Sequence, residues 1–147
     1  MNNPPPSPHP AAPPSAVTTA APAPLRILVV DDDVEICRLY TEILIRSGFH
    51  VDTAADGEAG WQVLHAARHA PECYDLLITD QNMPKLTGIQ LVAKVRSARL
   101  ALPVILATGA AVRQPEGISF AAILEKPFTS DELVHTVKTV LSAPPPR

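Results

Sequence analysis

The sequence predicts an α/β protein whose parallel sheet is covered by helices on both faces, and two observations carry that prediction. Short apolar runs alternate with longer segments whose apolar residues recur every three or four positions, the pattern of successive strand and helix units. Several of the runs are apolar throughout, as strands buried on both faces must be. At 147 residues, 46% hydrophobic and 18% charged, the chain suits one such soluble domain with a sizeable core.

Ile27-Leu28-Val29-Val30 is the first strand and ends at Asp31-Asp32-Asp33. The helix after it carries Ile36, Leu39, Tyr40, Ile43 and Leu44 on one face and stops at Gly48, with Asp33 as its cap. Phe49 to Thr53 alternates in polarity and suits an edge strand. Asp56 or Gly57 opens a helix that runs to about Arg68, with Ala59, Val63, Leu64 and Ala67 inward and Trp61 near the rim; Pro71 ends that unit. Leu76-Leu77-Ile78 forms the third strand, which reaches Asp80 and gives way to a loop punctuated by Pro84 and Gly88. Ile89, Leu91, Val92 and Val95 supply the apolar face of the next helix. The fourth strand, Pro103 to Ala107, ends at Thr108-Gly109. Between Ala110 and Phe120, Pro115 and Gly117 break what should be a helix, leaving one or two turns at best. Ala121 to Glu125 is the fifth strand, ending on Lys126-Pro127. Thr129 and Glu132 form a capping box for the last helix, whose buried stripe is Leu133, Val137, Val140 and Leu141.

Residues 1–24 hold nine prolines, six alanines and no Asp, Glu, Lys or Arg, so a disordered tail is expected there, with the folded domain at 25–142 and a second short tail at 143–147. The net charge of -3, with basic residues scattered, argues against direct nucleic-acid binding. Cys37 and Cys73 lack metal-ligand spacing, and the five histidines share no spacing that suggests a ligand set. No apolar run is long enough to span a membrane and the start of the chain lacks signal-peptide features, so a cytoplasmic protein without a membrane partner is expected.

A parallel sheet brings its strand ends to one edge, and here those ends carry Asp31, Asp32, Asp80, Thr108 and Lys126. Crowded carboxylates raise one another's pKa unless a cation compensates. A hard ion such as Mg²⁺ favours oxygen ligands and readily accepts a phosphoryl oxygen. A carboxylate is also a competent nucleophile for phosphorus, while a lysine and a hydroxyl neutralise charge on the transferring oxygens. Asp80 is the candidate nucleophile, although the residues alone also allow it to be a helix cap.

The motifs Val29-Val30-Asp31-Asp32, Asp80-x-Asn82-Met83-Pro84-x-x-x-Gly88, Ala107-Thr108-Gly109 and Lys126-Pro127-Phe128 occur in order at successive strand ends. In these the chain, from Leu25 to about Leu141, resembles the receiver domain of bacterial two-component response regulators. The resemblance implies a flavodoxin-like (βα)5 sandwich with sheet order 2-1-3-4-5, and a cis Lys126–Pro127 bond. It implies Asp80 as phosphoacceptor, with Asp32 and Asp80 as Mg²⁺ ligands, Asp31 a ligand through water, and the Asn82 backbone carbonyl another. Thr108 would bind a phosphoryl oxygen and Lys126 would pair with the phosphorylated carboxylate. The donor would be a histidine kinase or a histidine phosphotransfer protein. Ile123 stands where family members commonly carry Tyr or Phe, and the fourth crossover is shorter than usual. With Ala107-Thr108-Gly109, that crossover resembles a group of single-domain receivers with an eroded fourth helix.

The expected function is therefore a stand-alone receiver that accepts a phosphoryl group on Asp80 and signals through protein contact or phosphorelay, with self-phosphorylation and dephosphorylation chemistry and no turnover substrate. One alternative is a phosphatase of the haloacid-dehalogenase type with Asp31 as nucleophile, which leaves Asp80 idle and lacks the later acidic pair. The other is a receiver fold used only as an interaction module.

Overall fold

The computed structural model describes residues 3, 23–71 and 73–143. The expected tails at 1–24 and 143–147 fall almost wholly outside those residues. Nine elements follow in order: β1 (Arg26–Val30), α1 (Val34–Arg46), β2 (His50–Ala54), α2 (Gly57–Ala67), β3 (Leu76–Asp80), α3 (Gly88–Ser97), β4 (Val104–Thr108), β5 (Ala122–Glu125) and α4 (Ser130–Ser142). All strand pairs are parallel, and the sheet order is β2-β1-β3-β4-β5, the flavodoxin-like order.

Alternation along each strand divides the core into two layers. Ile27, Val29, Leu76, Ile78, Ile105 and Ala107 face α1 and α4, where Tyr40, Leu44, Leu133 and Val137 meet them. Leu28, Val30, Leu77 and Val104 face α2 and α3 and pack on Leu64, Leu91, Val92 and Val95. Because β1, β3 and β4 are covered on both sides, their runs need no polar positions until they emerge at the top edge.

The helix starts are set by local chemistry. Asp33 caps α1, its Oδ1 accepting from the Glu35 and Ile36 N–H groups. Asp56 caps α2 through the Ala59 N–H at 2.7 Å. Thr87 and Gln90 form a reciprocal capping box on α3. Thr129 caps α4 by accepting from the Glu132 N–H, without the return bond to the Glu132 side chain that the expected capping box requires. At the end of α1, Gly48 takes φ +95°, the left-handed geometry that lets the chain turn into β2.

The expected burial of Leu39 needs correction. Leu39, placed on the buried face of α1, is 49% exposed; the inward stripe is Cys37, Tyr40 and Leu44, with Ile36 and Ile43 flanking it. This helix holds more apolar side chains than one face accommodates, and Leu39 lies about 200° from Cys37 around the axis. The fourth crossover is eroded as expected, since residues 109–121 contain no helix. A lone turn closed by the Ile118 N–H on the Pro115 carbonyl at 3.2 Å is what survives, so four helices pack on the sheet.

Candidate functional site

The first, third and fifth strands converge on one charged pocket. Asp31 and Asp32 follow β1, Asp80 ends β3, and each offers a carboxylate oxygen lying within 4.8 Å of the others. Asp31 is 2% exposed, whereas Asp32 is open to solvent. The Asp31 Oδ1 accepts from the Asp33 N–H at 2.9 Å, and its Oδ2 faces the Lys126 ammonium at 3.3 Å. Lys126 also lies 3.5 Å from Asp80 Oδ1, so one cation bridges the first and third strands from the end of the fifth.

Lys126 is aimed there by its backbone. Its N–H donates to the Thr108 carbonyl at 2.8 Å, tying the end of β5 to the end of β4. The Lys126–Pro127 peptide is cis, and Phe128 turns back into the core beside Tyr40, with ring centroids 5.4 Å apart.

Asp80 is held equally closely. Its Oδ1 accepts from the Gln81 N–H at 2.8 Å. Among the described residues no hydrogen bond or ion pair engages Oδ2, so that oxygen stays available. A β-carbon on Gly88 would collide with the Asp80 carbonyl oxygen and crowd Leu106, which is why glycine is needed where α3 starts against the end of β3.

Burial pushes the Asp31 carboxyl above its ordinary range and the Asp80 charge adds to this, while the Asp33 N–H and Lys126 act in the opposite direction. Cys37 donates its thiol to the Asp31 carbonyl at 3.3 Å, and burial pushes that thiol up to about 11, which keeps it protonated and unreactive at neutral pH.

Of the expected site residues, Asp31, Asp32, Asp80 and Lys126 come together in this pocket. Asn82 lies two residues beyond Asp80 in the β3–α3 loop with an exposed side chain. Thr108 is at the adjacent strand end, fully buried, but its hydroxyl is turned to its own loop and shares 3.2 Å contacts with the Ala110 N–H and carbonyl. Gln81 escapes sequence reasoning, because a polar residue in a loop carries no periodicity or spacing signal. An all-oxygen donor set with one nearly sealed carboxylate suits a hard divalent cation such as Mg²⁺.

Comparison with known proteins places this chain in a family. Residues 27–138 match the response regulator receiver domain, and the chain belongs to that family. Aspartate phosphorylation and Mg²⁺ binding at an acidic pocket are typical of it, as are histidine kinases or phosphotransfer proteins as partners. Among curated relatives, the chain is similar to a transcriptional regulatory protein CpxR homolog of Haemophilus influenzae, with 34% identity over 79% of this chain and 50% of that protein. It is also similar to the transcriptional regulatory protein CpxR of Klebsiella pneumoniae, with 36% identity over 79% of this chain and 49% of that one. The chain thus spans about half the length of the curated relatives it matches. Among solved structures, the response regulator TrrA of Thermotoga maritima, in complex with Mg²⁺ and BeF, superposes with a TM-score of 0.69 at 31% identity, covering 79% of this chain and 98% of that one. The chemotaxis response regulator CheY4 of Vibrio cholerae gives 0.66 at 31% identity over 80% and 98%. No helix among the described residues is long and apolar enough to cross a membrane.

Proposed function

We propose that this chain accepts a phosphoryl group on Asp80 from a histidine kinase or histidine phosphotransfer protein in the cytoplasm, and passes the signal on by protein contact or phosphorelay. The observation that carries the reading is Lys126 held between Asp31 and Asp80, at 3.3 and 3.5 Å, beside three clustered carboxylates.

In this reading Asp80 Oδ2 attacks phosphorus as the bond from phosphorus to the donor breaks. The electron pair leaves with the donor, a phosphohistidine ring protonated on its other nitrogen departing as neutral imidazole, and an acyl phosphate remains on Asp80. Lys126 offsets charge on the carboxylate and the incoming phosphoryl oxygens. Asp31, Asp32, Asp80 and the Asn82 carbonyl would hold Mg²⁺, which supplies further charge neutralisation when bound. Thr108 would turn from Ala110 to a phosphoryl oxygen, a rearrangement that gives up two 3.2 Å contacts and pulls on the chain at Gly109. Asp31 makes a poor nucleophile, being sealed from solvent with both oxygens engaged, which weighs against the phosphatase reading.

Incubation with acetyl phosphate and Mg²⁺ tests the assignment by intact mass. One phosphoryl group should appear on the wild type and none on Asp80→Asn. Equal labelling of the variant, or acyl phosphate mapped to Asp31, would refute it.

A further inference from the structure

The corner between β3 and α3 is organised around Gln81. Its N–H donates to Asp80 Oδ1 at 2.8 Å. Its carbonyl accepts from the Gly88 N–H at 3.0 Å, and its side-chain Oε1 accepts from the Ile89 N–H at 2.9 Å. Thr87 takes the next donor, the Gln90 N–H, at 3.1 Å. The first three N–H groups of α3, which have no partner within the helix, are therefore all satisfied, and two of them bind the residue that holds the Asp80 carboxylate.

A carboxylate turns about a soft, roughly two-fold torsion, so its oxygens exchange unless something distinguishes them. Here the Gln81 N–H does so, together with Lys126 on the same oxygen. The direction of that N–H depends on the Gln81 backbone, and the backbone is anchored to α3 by the carbonyl and the side-chain amide. Gly88 allows the close approach that brings those helix donors within reach.

We infer that Gln81 is a positioning residue for phosphoryl transfer: its side-chain amide locks its backbone to the first turn of α3, so that Oδ1 of Asp80 is held and Oδ2 is presented to the phosphodonor. This rests on Asp80 as phosphoacceptor and gives a role to the residue at the unassigned position between Asp80 and Asn82. Gln81 touches neither donor nor phosphoryl group through its side chain; it acts through Asp80. The effect belongs to the rate of transfer at saturating Mg²⁺ and leaves cation affinity alone, because none of the three clustered carboxylates is removed.

The test uses the full chain and acetyl phosphate at saturating Mg²⁺. Gln81→Met keeps the length and removes the acceptor; Gln81→Glu restores an oxygen for Ile89, and high ionic strength screens its added charge. Thr87→Ala weakens the same helix start without touching Gln81. Gln81→Met should acylate Asp80 roughly tenfold more slowly, a loss typical of a misaligned reacting group, with Mg²⁺ affinity within about twofold of wild type. Gln81→Glu should recover most of that rate, and Thr87→Ala should label at the wild-type rate. Wild-type labelling by Gln81→Met, equal slowing of the Met and Glu variants, or equal slowing by Thr87→Ala would each overturn the inference. Failure of the phosphoacceptor reading itself shows separately, as labelling that survives in Asp80→Asn.

Discussion

Two connections leave the top edge of the sheet on either side of the proposed phosphoryl site, and they are built in opposite ways. After β3, residues 81–90 place six backbone N–H groups on protein acceptors: those of Gln81, Leu86, Thr87, Gly88, Ile89 and Gln90. After β4, residues 109–120 place two, those of Ala110 and Ile118. The first connection is pressed against Asp80 through Gly88, whereas a β-carbon added at Gly109 would meet no neighbour within 4 Å. The contrast separates two tasks. Chemistry needs a nucleophile and cation ligands held in fixed geometry, and signalling needs a segment whose conformation changes at small cost.

The largest effect expected on the fixed side is electrostatic. Three clustered carboxylates repel, so Mg²⁺ should stabilise the fold by mass action, by about 2.7 kcal/mol at a hundred times its dissociation constant. Thermal melts with Mg²⁺ or EDTA read this directly. Asp32→Ala should lose most of the response, and identical melts for the wild type in both conditions would remove the carboxylates as a cation site.

A pair of glycine substitutions compares the two connections sterically. Gly88→Ala drives a β-carbon into the Asp80 carbonyl, backbone that yields little, and should cost about 2 kcal/mol in urea unfolding. Gly109→Ala meets open space and should leave stability unchanged or raise it by at most about 1 kcal/mol. Similar losses in both would erase the distinction.

The smallest effect is the pH dependence of the metal-free protein. Asp31 has its folded-state pKa raised, chiefly by burial, so the native state binds more protons than the unfolded chain between the unfolded and folded values. Stability should therefore fall as pH rises through the folded pKa, and be insensitive to Asp31 below the unfolded one. Comparison of the wild type with Asp31→Asn in EDTA isolates the effect, and a contribution of the opposite sign would contradict the burial argument.

The strands and the charged edge are legible in the sequence because both depend on simple patterns. Ile27–Val30, Leu76–Ile78 and Val104–Ala107 are apolar throughout since both faces are covered, and each is followed by a polar group as it leaves the core. Asp33 and Thr129 announce their helices by residue type and position. What stays hidden depends on choices among equals. Cys37 and Leu39 are both apolar positions of α1, and the docking angle of the helix decides which is buried. The inward turn of Gln81 and the outward turn of the Thr108 hydroxyl depend on a peptide N–H being in reach, which spacing alone does not encode.

The most direct test of the contrast is hydrogen exchange with and without Mg²⁺ and beryllofluoride, a mimic of the acyl phosphate. In the free protein, amides of residues 109–120 should exchange fast and those of Gly88, Ile89 and Gln90 slowly. On adding the mimic, the Ala110 amide should lose its Thr108 acceptor while protection rises across 111–120, with little change at the start of α3. Unaltered exchange in 109–120 alongside a response confined to 81–90 would contradict the account.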